Sequence, residues 1–443
     1  MAHALDRYLS EWTSTGQLRR RAGSADLAGR REAALHRFLS HGFPTTRDEE
    51  WRFTSVAPIA ERMFALAPLP STDAIRIGLD PLRLSGSAAE LVFLNGHYVP
   101  ALSREGELPR GARVESVRSR LSMRDDEVER YLGHVARCEQ HAFVALNTAF
   151  LDDGACIQLP AGTILERPVH LVFVAMGAAD DRATMVHPRV LVVLGANAQA
   201  SVVETYAGPA EAQYFTNAVT EIVLGENATL DHYKLQYEST SAYHVGATHV
   251  QAQRSATCAT HSISLGGALV RNDVTAVLNG DGADCALDGL YFANEHRLVD
   301  NHTSIDHVYP HCASREIYKG ILADHARGVF NGKIIVRPDA QKTDAKQTNR
   351  ALLLSEDALI NTTPQLEIFA NDVKCTHGAA VGQLDDEAVF YLRSRGLSDA
   401  AARHLLIHAF AADVLSRISL EAIRTAVEGR LQRQLAHALS SAA

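Results

Sequence analysis

Leu-Gly-Ala-Asn-Ala-Gln-Ala, residues 194–200, is the stretch that decides the fold, because it returns 30 residues later as Leu-Gly-Glu-Asn-Ala-Thr-Leu, residues 224–230. Further copies, each a turn carrying a small residue, follow at Ala256 and Ala283 and more loosely at Asp324 and Asp357. Short β-branched runs flank the copies, and no helical apolar stripe develops between them. A repeat of about 20 to 50 residues is typical of a solenoid.

The repeat predicts a β-helix, because strands without interleaved helices bury their apolar faces when each coil covers the one before it. A β-sandwich would also supply alternating strands, but it would not require a repeating turn. The fold class is therefore mainly β, with a parallel β-helix core over residues 151–383. Helical patterns predict a mostly helical N-terminal domain with a small β-hairpin at Asn95-Gly96, residues 1–150, and a C-terminal helical bundle, residues 384–443.

Composition excludes several classes of protein. The chain has 443 residues and a formal charge of -9, with 52 acidic against 43 basic residues, which argues against a nucleic-acid partner. No apolar run reaches the ~18 residues of a membrane span, and the N-terminus lacks the apolar core of a signal peptide. We therefore expect a cytoplasmic protein without membrane contact. The six cysteines form no Cys-x-x-Cys pair, so neither a disulfide framework nor an all-cysteine metal site is expected.

The candidate site is Lys374-Cys375-Thr376-His377-Gly378. If this segment is a strand, Cys375 and His377 point to the same face and could act on one ligand or one partner surface. Neutral imidazole can ligate iron, and thiolate is the reactive form of cysteine. The structural alternatives are a histidine that caps a turn before Gly378 and a small buried thiol at Cys375. From these residues alone, the metal-binding role and the structural role both stay open for His377 and for Cys375.

Other motifs give weaker evidence for a functional site. His302, His307, His311 and Cys312 could bind a metal, but their spacing fits no standard zinc pattern. We interpret them as hydrogen-bonded histidines along the coils, with His307 and His311 on one face and Cys312 on the other. Residues 328–333 resemble a phosphate loop, but Ile334 stands where Ser or Thr should bind magnesium, so no nucleotide-binding residue is assigned. No nucleophile elbow appears, and no catalytic residue is assigned.

The longest motifs resemble the SufB/SufD family. They are Tyr318-Lys319-Gly320, residues 329–333, 340–345, 352–355, 364–368, 372–378 and 390–396, and, upstream, Glu49-Glu50-Trp51-Arg52-Phe53-Thr54. The resemblance implies a right-handed parallel β-helix flanked by helical domains, and a role in iron–sulfur cluster assembly. It also implies a SufB-like scaffold as partner at the C-terminal end of the β-helix and a SufC-like ATPase as partner of the C-terminal helices.

The resemblance places His377 at the SufB–SufD junction as a metal ligand, with Cys375 as a weaker second. We expect Asp372 and Lys374 to lie in that interface, and Leu405 and Phe410 to lie in a C-terminal docking surface for SufC. Scaffold-type members carry cysteines in the region matching residues 348–360, and this chain has none there, which favours the SufD branch. The implied cargo is a transient iron–sulfur cluster or iron shared with SufB. Reduced flavin is allowed in the complex, and no permanently bound cofactor is expected.

This reading makes the chain an accessory subunit rather than an enzyme, with ATP hydrolysis on SufC. Two alternatives remain from other classes of protein. One is a homodimer that forms without SufB and carries a cluster by itself. The other is a β-solenoid enzyme acting on carbohydrate, which usually needs clustered carboxylates, whereas Asp339, Asp344 and Glu356 are irregularly spaced.

Overall fold

The computed structural model describes residues 2–19, 25–68, 76–123, 125–139, 141–177 and 183–441. Its helices are α1 (Ala2–Arg19), α2 (Ala25–His41), α3 (Ala57–Ala60), α4 (Arg76–Leu79), α5 (Val117–Ser122), α6 (Asp126–Tyr131), α7 (Ala142–Ala149), α8 (Asp386–Ser394), α9 (Asp399–Leu415) and α10 (Glu421–Ser441). Short 3-10 turns cover Glu49–Trp51, Asp80–Leu82 and Pro100–Leu102. None of the described helices is long and apolar enough to cross a membrane.

The strands contain more of the described residues than the helices do. They are β1 (Ala65–Leu66), β2 (Ala89–Leu94), β3 (His97–Tyr98), β4 (Arg113–Ser116), β5 (Gly154–Leu159), β6 (Val169–Val174), β7 (Thr184–Val186), β8 (Arg189–Leu194), β9 (Gln199–Ala207), β10 (Tyr214–Leu224), β11 (Thr229–Tyr237), β12 (Tyr243–Ala252), β13 (Thr257–Ser264), β14 (Leu269–Leu278), β15 (Asp284–Ala293), β16 (Leu298–His307), β17 (Ala313–Leu322), β18 (Arg327–Val336), β19 (Asp344–Leu353), β20 (Leu359–Ile368) and β21 (Lys374–Gly382).

These strands wind into a β-solenoid of about seven turns, which confirms the predicted fold class. Successive strands alternate between two sheets, one in the order β20-β18-β16-β14-β12-β10-β8-β5-β4 and one in the order β21-β19-β17-β15-β13-β11-β9-β6-β2-β3. Every pair from β8 to β21 is parallel. The predicted hairpin at Asn95-Gly96 is confirmed, since β2 and β3 pair antiparallel and both turn residues have positive φ.

The sequence repeat is one corner of the coil. The residue before each buried alanine has positive φ: 60° at Asn197, 56° at Asn227, 55° at Ser255 and 71° at Gly282. Asparagine and glycine tolerate this left-handed backbone best, and the alanine after it is small enough to stack inside the coil. The same corner recurs in the later coils, beyond the copies found in the sequence. There His311 and Lys342 have positive φ and precede the buried residues Cys312 and Thr343.

The two looser copies, at Asp324 and Asp357, belong to another corner, so assigning them to the first repeat was wrong. Asp324 has a φ of 54° and precedes β18, in the sheet opposite the one that Asn197 and Asn227 lead into. Asp357 precedes β20 in the same sheet. Each coil has two strands and therefore more than one corner. The second corner also uses a turn followed by a buried alanine, namely Ala326 after Asp324 and Ala358 after Asp357. A similar turn therefore does not identify an equivalent place in the coil.

The interior of the solenoid holds polar side chains as well as apolar ones. The Glu204 carboxylate accepts hydrogen bonds from Thr220 Oγ1 at 2.8 Å and lies 2.9 Å from His232 Nε2. Lys234 Nζ donates to Asn272 Oδ1 at 2.7 Å, and burial lowers the pKa of this lysine to about 8. Buried polar groups require such partners, because a buried polar group without a hydrogen bond lowers the free energy of unfolding by roughly 1–3 kcal/mol.

The terminal helices pack on the outside of the solenoid. Helix α9 contacts β15 and β17, and residues such as Ile407, Val414 and Leu431 share a buried cluster with Leu290 and Ile321 of that sheet. On the opposite sheet, the segment around Trp51 lies over β14 and β16, with the Arg271 guanidinium 4.3 Å from the Trp51 ring centroid. The last coil, β20 and β21, extends beyond the strands that these elements cover.

Candidate functional site at the open end of the solenoid

The last coil is the exposed end of the solenoid. Within the part of the chain that the structure describes, β20 pairs only with β18 and β21 only with β19, so each has one edge without a strand partner. In β19 the side chains of Ala345, Gln347 and Asn349 are buried, whereas every residue of β20 and β21 is at least partly exposed. Large apolar side chains are exposed here, namely Leu359, Ile368, Phe369 and Val381. Long exposed edge strands with apolar side chains are sites where other chains pair.

Cys375 and His377 both lie on β21, so the prediction that they share one face of a strand is confirmed. They stand in register with buried Ala345 and Gln347 of the preceding coil. Cys375 is half-buried in a small cluster with Ala345 and Val373, whereas His377 is exposed. Burial raises the pKa of the Cys375 thiol, which lowers its thiolate fraction at neutral pH. The more accessible of the two candidate ligands is therefore His377.

A polar stack lies directly beneath His377. Gln347 is in register with His377 above and with Glu316 of β17 below. Gln347 Nε2 donates to Glu316 Oε2 at 2.8 Å, and Thr303 Oγ1 donates to Glu316 Oε1 at 2.5 Å. Burial raises the pKa of Glu316 to about 7. This stack was not predicted from the sequence, although the steps of 31 and 30 residues from Glu316 to Gln347 to His377 match the coil length.

The predicted interface residues fall in two places. Asp372 and Lys374 are exposed at the corner that leads into β21, where the Asp372 carboxylate pairs with Lys342. Leu405 and Phe410 lie on α9. Leu405 is 47% exposed, whereas Phe410 is half-buried and its carbonyl oxygen accepts a hydrogen bond from Lys319 Nζ at 2.8 Å.

Lys319 is on β17, two strands along the sheet from β21, so the structure groups Asp372 and Lys374 with His377 but places the α9 pair on the flank. The exposed aromatic side chains Phe390 and Tyr391 lie on the neighbouring helix α8.

The second histidine cluster separates in the structure. β16 ends at His307, so His307 and His311 do not share a strand face, and that part of the prediction was wrong. His311 is an exposed turn residue with a φ of 58°, because the corner of the coil falls there. The prediction of hydrogen-bonded histidines is confirmed for two members: His307 Nε2 lies 2.9 Å from Ser314 Oγ, and His302 Nδ1 lies 3.0 Å from Glu50 Oε2.

His302 joins two motifs that are 252 residues apart. Its Nε2 lies 3.1 Å from Asp300 Oδ1, while Arg271 Nη1 donates to Glu50 O at 2.8 Å. Burial lowers the pKa of His302, but the Asp300 and Glu50 carboxylates outweigh that effect and raise it overall. A cavity of about 670 Å³ opens along this seam between the Trp51 segment and the solenoid. The segment thus fastens the N-terminal region to β14 and β16.

The described residues contain no group of three or more His, Cys, Asp or Glu side chains arranged to hold a metal ion. The terminal coil offers one imidazole and one thiol. A cluster bound there would need further ligands from another molecule, since iron–sulfur clusters are held by several protein ligands.

These features define a parallel β-solenoid protein with helical regions on its flank and an open terminal coil that carries a cysteine and a histidine. Residues 175–410 match the family described as "SUF system FeS cluster assembly, SufBD core domain", and residues 2–171 match the "SufBD protein N-terminal region". The chain belongs to the SufBD family of iron–sulfur cluster assembly proteins.

Relatives align along most of the chain. An iron–sulfur cluster assembly SufBD family protein of Synechocystis is 35% identical over 94% of this chain and 89% of its own length. The iron–sulfur cluster assembly protein SufD of Escherichia coli is 33% identical over 90% of this chain and 91% of its own length. SufD of Bacillus subtilis is 25% identical over 88% of this chain and 89% of its own. The predicted family is therefore confirmed.

Proposed function

We propose that this chain is the SufD-like, non-catalytic subunit of a SufB–SufC–SufD complex, and that its terminal coil pairs with a SufB-like scaffold. The observation that carries the proposal is the exposure of β20 and β21, which stand at the end of an otherwise buried stack. Membership of the SufBD family supports the role in iron–sulfur cluster assembly. The partners themselves are inferred from the chemistry of this end and from the family resemblance.

Pairing by the terminal coil follows from the requirements of its backbone. The free edges of β20 and β21 present N–H and C=O groups that a partner strand can satisfy, as in other cases of β-strand addition. Exposed Phe369 and Val381 supply apolar area beside those edges, being 58% and 48% exposed. Asp372 and Lys374 at the nearby corner add one charge of each sign, which can select the register of the partner.

At this end of the solenoid, the chain supplies some of the ligands of a metal site and its partner supplies the others. Neutral His377 can ligate iron through one ring nitrogen, and Cys375 can serve as a second ligand or persulfide acceptor once its thiol is deprotonated. The remaining ligands would come from scaffold cysteines on SufB, because residues 348–360 of this chain contain none. The transient cluster or iron is cargo held at the junction. Reduced flavin in the complex stays an expectation from the family resemblance.

The C-terminal helices are the proposed docking region for a SufC-like ATPase. Exposed Phe390, Tyr391 and Leu405 offer apolar contact area, while Phe410 and Lys319 join α9 to the solenoid. ATP hydrolysis on SufC would then move helices that are fastened to β17, two strands from the proposed junction. This connection gives the ATPase a mechanical route to the SufB–SufD pair.

The proposal is tested by iron and sulfide analysis of the complex purified from cells that express this chain with SufB and SufC. The His377→Ala variant should form the complex at wild-type yield but carry at least about ten-fold less iron and sulfide, because it removes a ligand. The control is His311→Ala, which removes an exposed histidine from a turn. A wild-type iron and sulfide content in His377→Ala would overturn the ligand role.

A second candidate is a homodimer, which the same open end would permit. Two copies could pair through β20 and β21 and bring two His377 side chains together. Light scattering of the isolated chain, with anaerobic cluster reconstitution followed by its absorption spectrum, separates the two proposals. Stable cluster binding by the isolated dimer would favour a self-sufficient scaffold.

A further inference from the structure

Gln347 occupies an unusual position in the polar stack beneath His377. It faces inward, is only 2% exposed, and is the in-register neighbour of His377 on the next strand. Adjacent strands lie about 4.8 Å apart, so side chains in register on one face are within reach of each other. His377 is exposed, whereas Gln347 is enclosed by the coil below. The two residues therefore link the proposed junction to the interior.

The amide of Gln347 is held in one orientation. Its Nε2 donates to Glu316 Oε2 at 2.8 Å, while Thr303 occupies the other oxygen of Glu316. Gly332 on the opposite sheet makes room for this arrangement, because a Cβ at Gly332 would overlap the Gln347 amide nitrogen. Gln347 Oε1 is buried and has no hydrogen-bond partner among the described residues. Buried carbonyl oxygens are normally paired, so this acceptor lacks the donor that its position calls for.

We propose that Gln347 is a positioning residue for His377, whose ring N–H donates to Gln347 Oε1 in the assembled complex. This inference rests on the proposed function. Neutral imidazole has one N–H donor and one acceptor nitrogen. A carbonyl oxygen can only accept, so it selects the tautomer whose N–H points into the coil. The other nitrogen then directs its lone pair toward the junction and the incoming iron.

The proposed arrangement follows a general pattern of metal-binding histidines. Such residues almost always donate their second ring N–H to a carboxylate, a carbonyl or water, and loss of this partner lowers metal affinity by about 10- to 100-fold. Here the chain of contacts would run from Thr303 through Glu316 and Gln347 to His377. Each of the first three side chains is buried, so the stack can hold the imidazole in one orientation.

The test compares Gln347→Met with Asn349→Leu in the complex with SufB and SufC. Methionine keeps the length and packing of Gln347 but removes the acceptor. Asn349 is the matched control, because it lies on the same strand and face and is 1% exposed, but it is in register with Ala379 rather than His377. The ring nitrogens of ¹⁵N-labelled His377 report the tautomer in the metal-free complex, with His377→Ala identifying the signals, and iron titration reports affinity.

We expect a single His377 tautomer in the wild type and in Asn349→Leu. Gln347→Met should show a mixture of tautomers and about 10- to 100-fold weaker iron binding. Gly332→Ala is a second route to the same result, because its Cβ displaces the amide while Gln347 and His377 both remain. A wild-type tautomer and wild-type iron affinity in Gln347→Met, or in Gly332→Ala if the methionine variant does not fold, would overturn the inference.

The two proposals can fail separately. If His377→Ala loses iron while Gln347→Met binds it normally, the positioning role is wrong and the ligand role stands. If His377→Ala itself retains normal iron, the proposed function fails at this site whatever Gln347 does.

Discussion

The interior coils and the terminal coil of the solenoid have strands of similar length and the same parallel pairing, but only the interior ones are covered. β17, β19 and β20 are each 10 residues long and β21 is 9, yet most residues of β17 are buried and none of β21 is. At the other end, antiparallel β3 and β4 close the two sheets. Repeat proteins need caps at their ends. An end without one is a surface suited to a partner.

The largest difference should appear when a single methyl group is added to each region. A Cβ at Gly320 in β17 would overlap the ring of Tyr291, whereas a Cβ at Gly378 in β21 would have no described residue within 4 Å. We expect Gly320→Ala to lower the free energy of unfolding by about 2–3 kcal/mol, in the range of overpacked cores. Gly378→Ala should stay within about 0.5 kcal/mol of wild type. Urea unfolding measures both, and equal losses would contradict the contrast.

A second difference should appear in binding rather than stability. The double variant Phe369→Lys, Val381→Lys places charges beside the free edges of the terminal coil. Because both side chains are already exposed, we expect little change in unfolding and at least about ten-fold weaker pairing with SufB, since charged edge residues oppose strand pairing. Tyr309→Lys, at an exposed turn on the same corner but two coils before the end, is the control. Unchanged SufB affinity, measured by titration of the purified subunits, would remove the terminal coil from the interface.

The flank offers a third comparison, between Leu405 and Phe410 of α9. Leu405→Ser should weaken SufC binding several-fold without changing stability, because its side chain is 47% exposed. Phe410→Ser should instead lower the melting temperature, because it removes the ring that packs 4.8 Å from Lys319 Nζ. Binding assays and thermal melts of both variants check this. Loss of stability in Leu405→Ser would place it in the core of the helical region instead.

The smallest expected effect is a pH dependence of the seam that holds the Trp51 segment on the interior coils. His302 faces Asp300 and Arg271 from the solenoid and Glu50 from the segment, and its pKa is raised in the folded chain. Its stabilising contribution is therefore fully present below the unfolded pKa and is lost as pH rises through the folded one. We expect His302→Gln to remove a shallow decline in stability above about pH 6.5. An unchanged pH profile of urea unfolding would contradict this.

Sequence alone predicted the solenoid, because the corner repeats with a residue that tolerates positive φ followed by a small buried one, as at Asn197-Ala198 and Asn227-Ala228. It also predicted that Cys375 and His377 share a face, since strand periodicity fixes that. It did not separate the corner at Asp324 from the first, because both corners use similar turns.

Contacts between distant elements were beyond sequence reasoning. Glu50 meets His302, and Gln347 lies below His377, only because coil lengths and packing bring those positions together. A single sequence with coils that vary from 27 to 31 residues does not fix this register in advance.

The most direct test of the central claim is hydrogen–deuterium exchange of the isolated chain and of the same chain in complex with SufB and SufC. We predict that backbone amides of residues 359–368 and 374–382 exchange quickly in isolation and become protected in the complex. Amides of β11 to β17 should stay protected in both states. Equal exchange of the terminal coil with and without SufB would contradict the account, because the open end would then remain uncovered in the assembly.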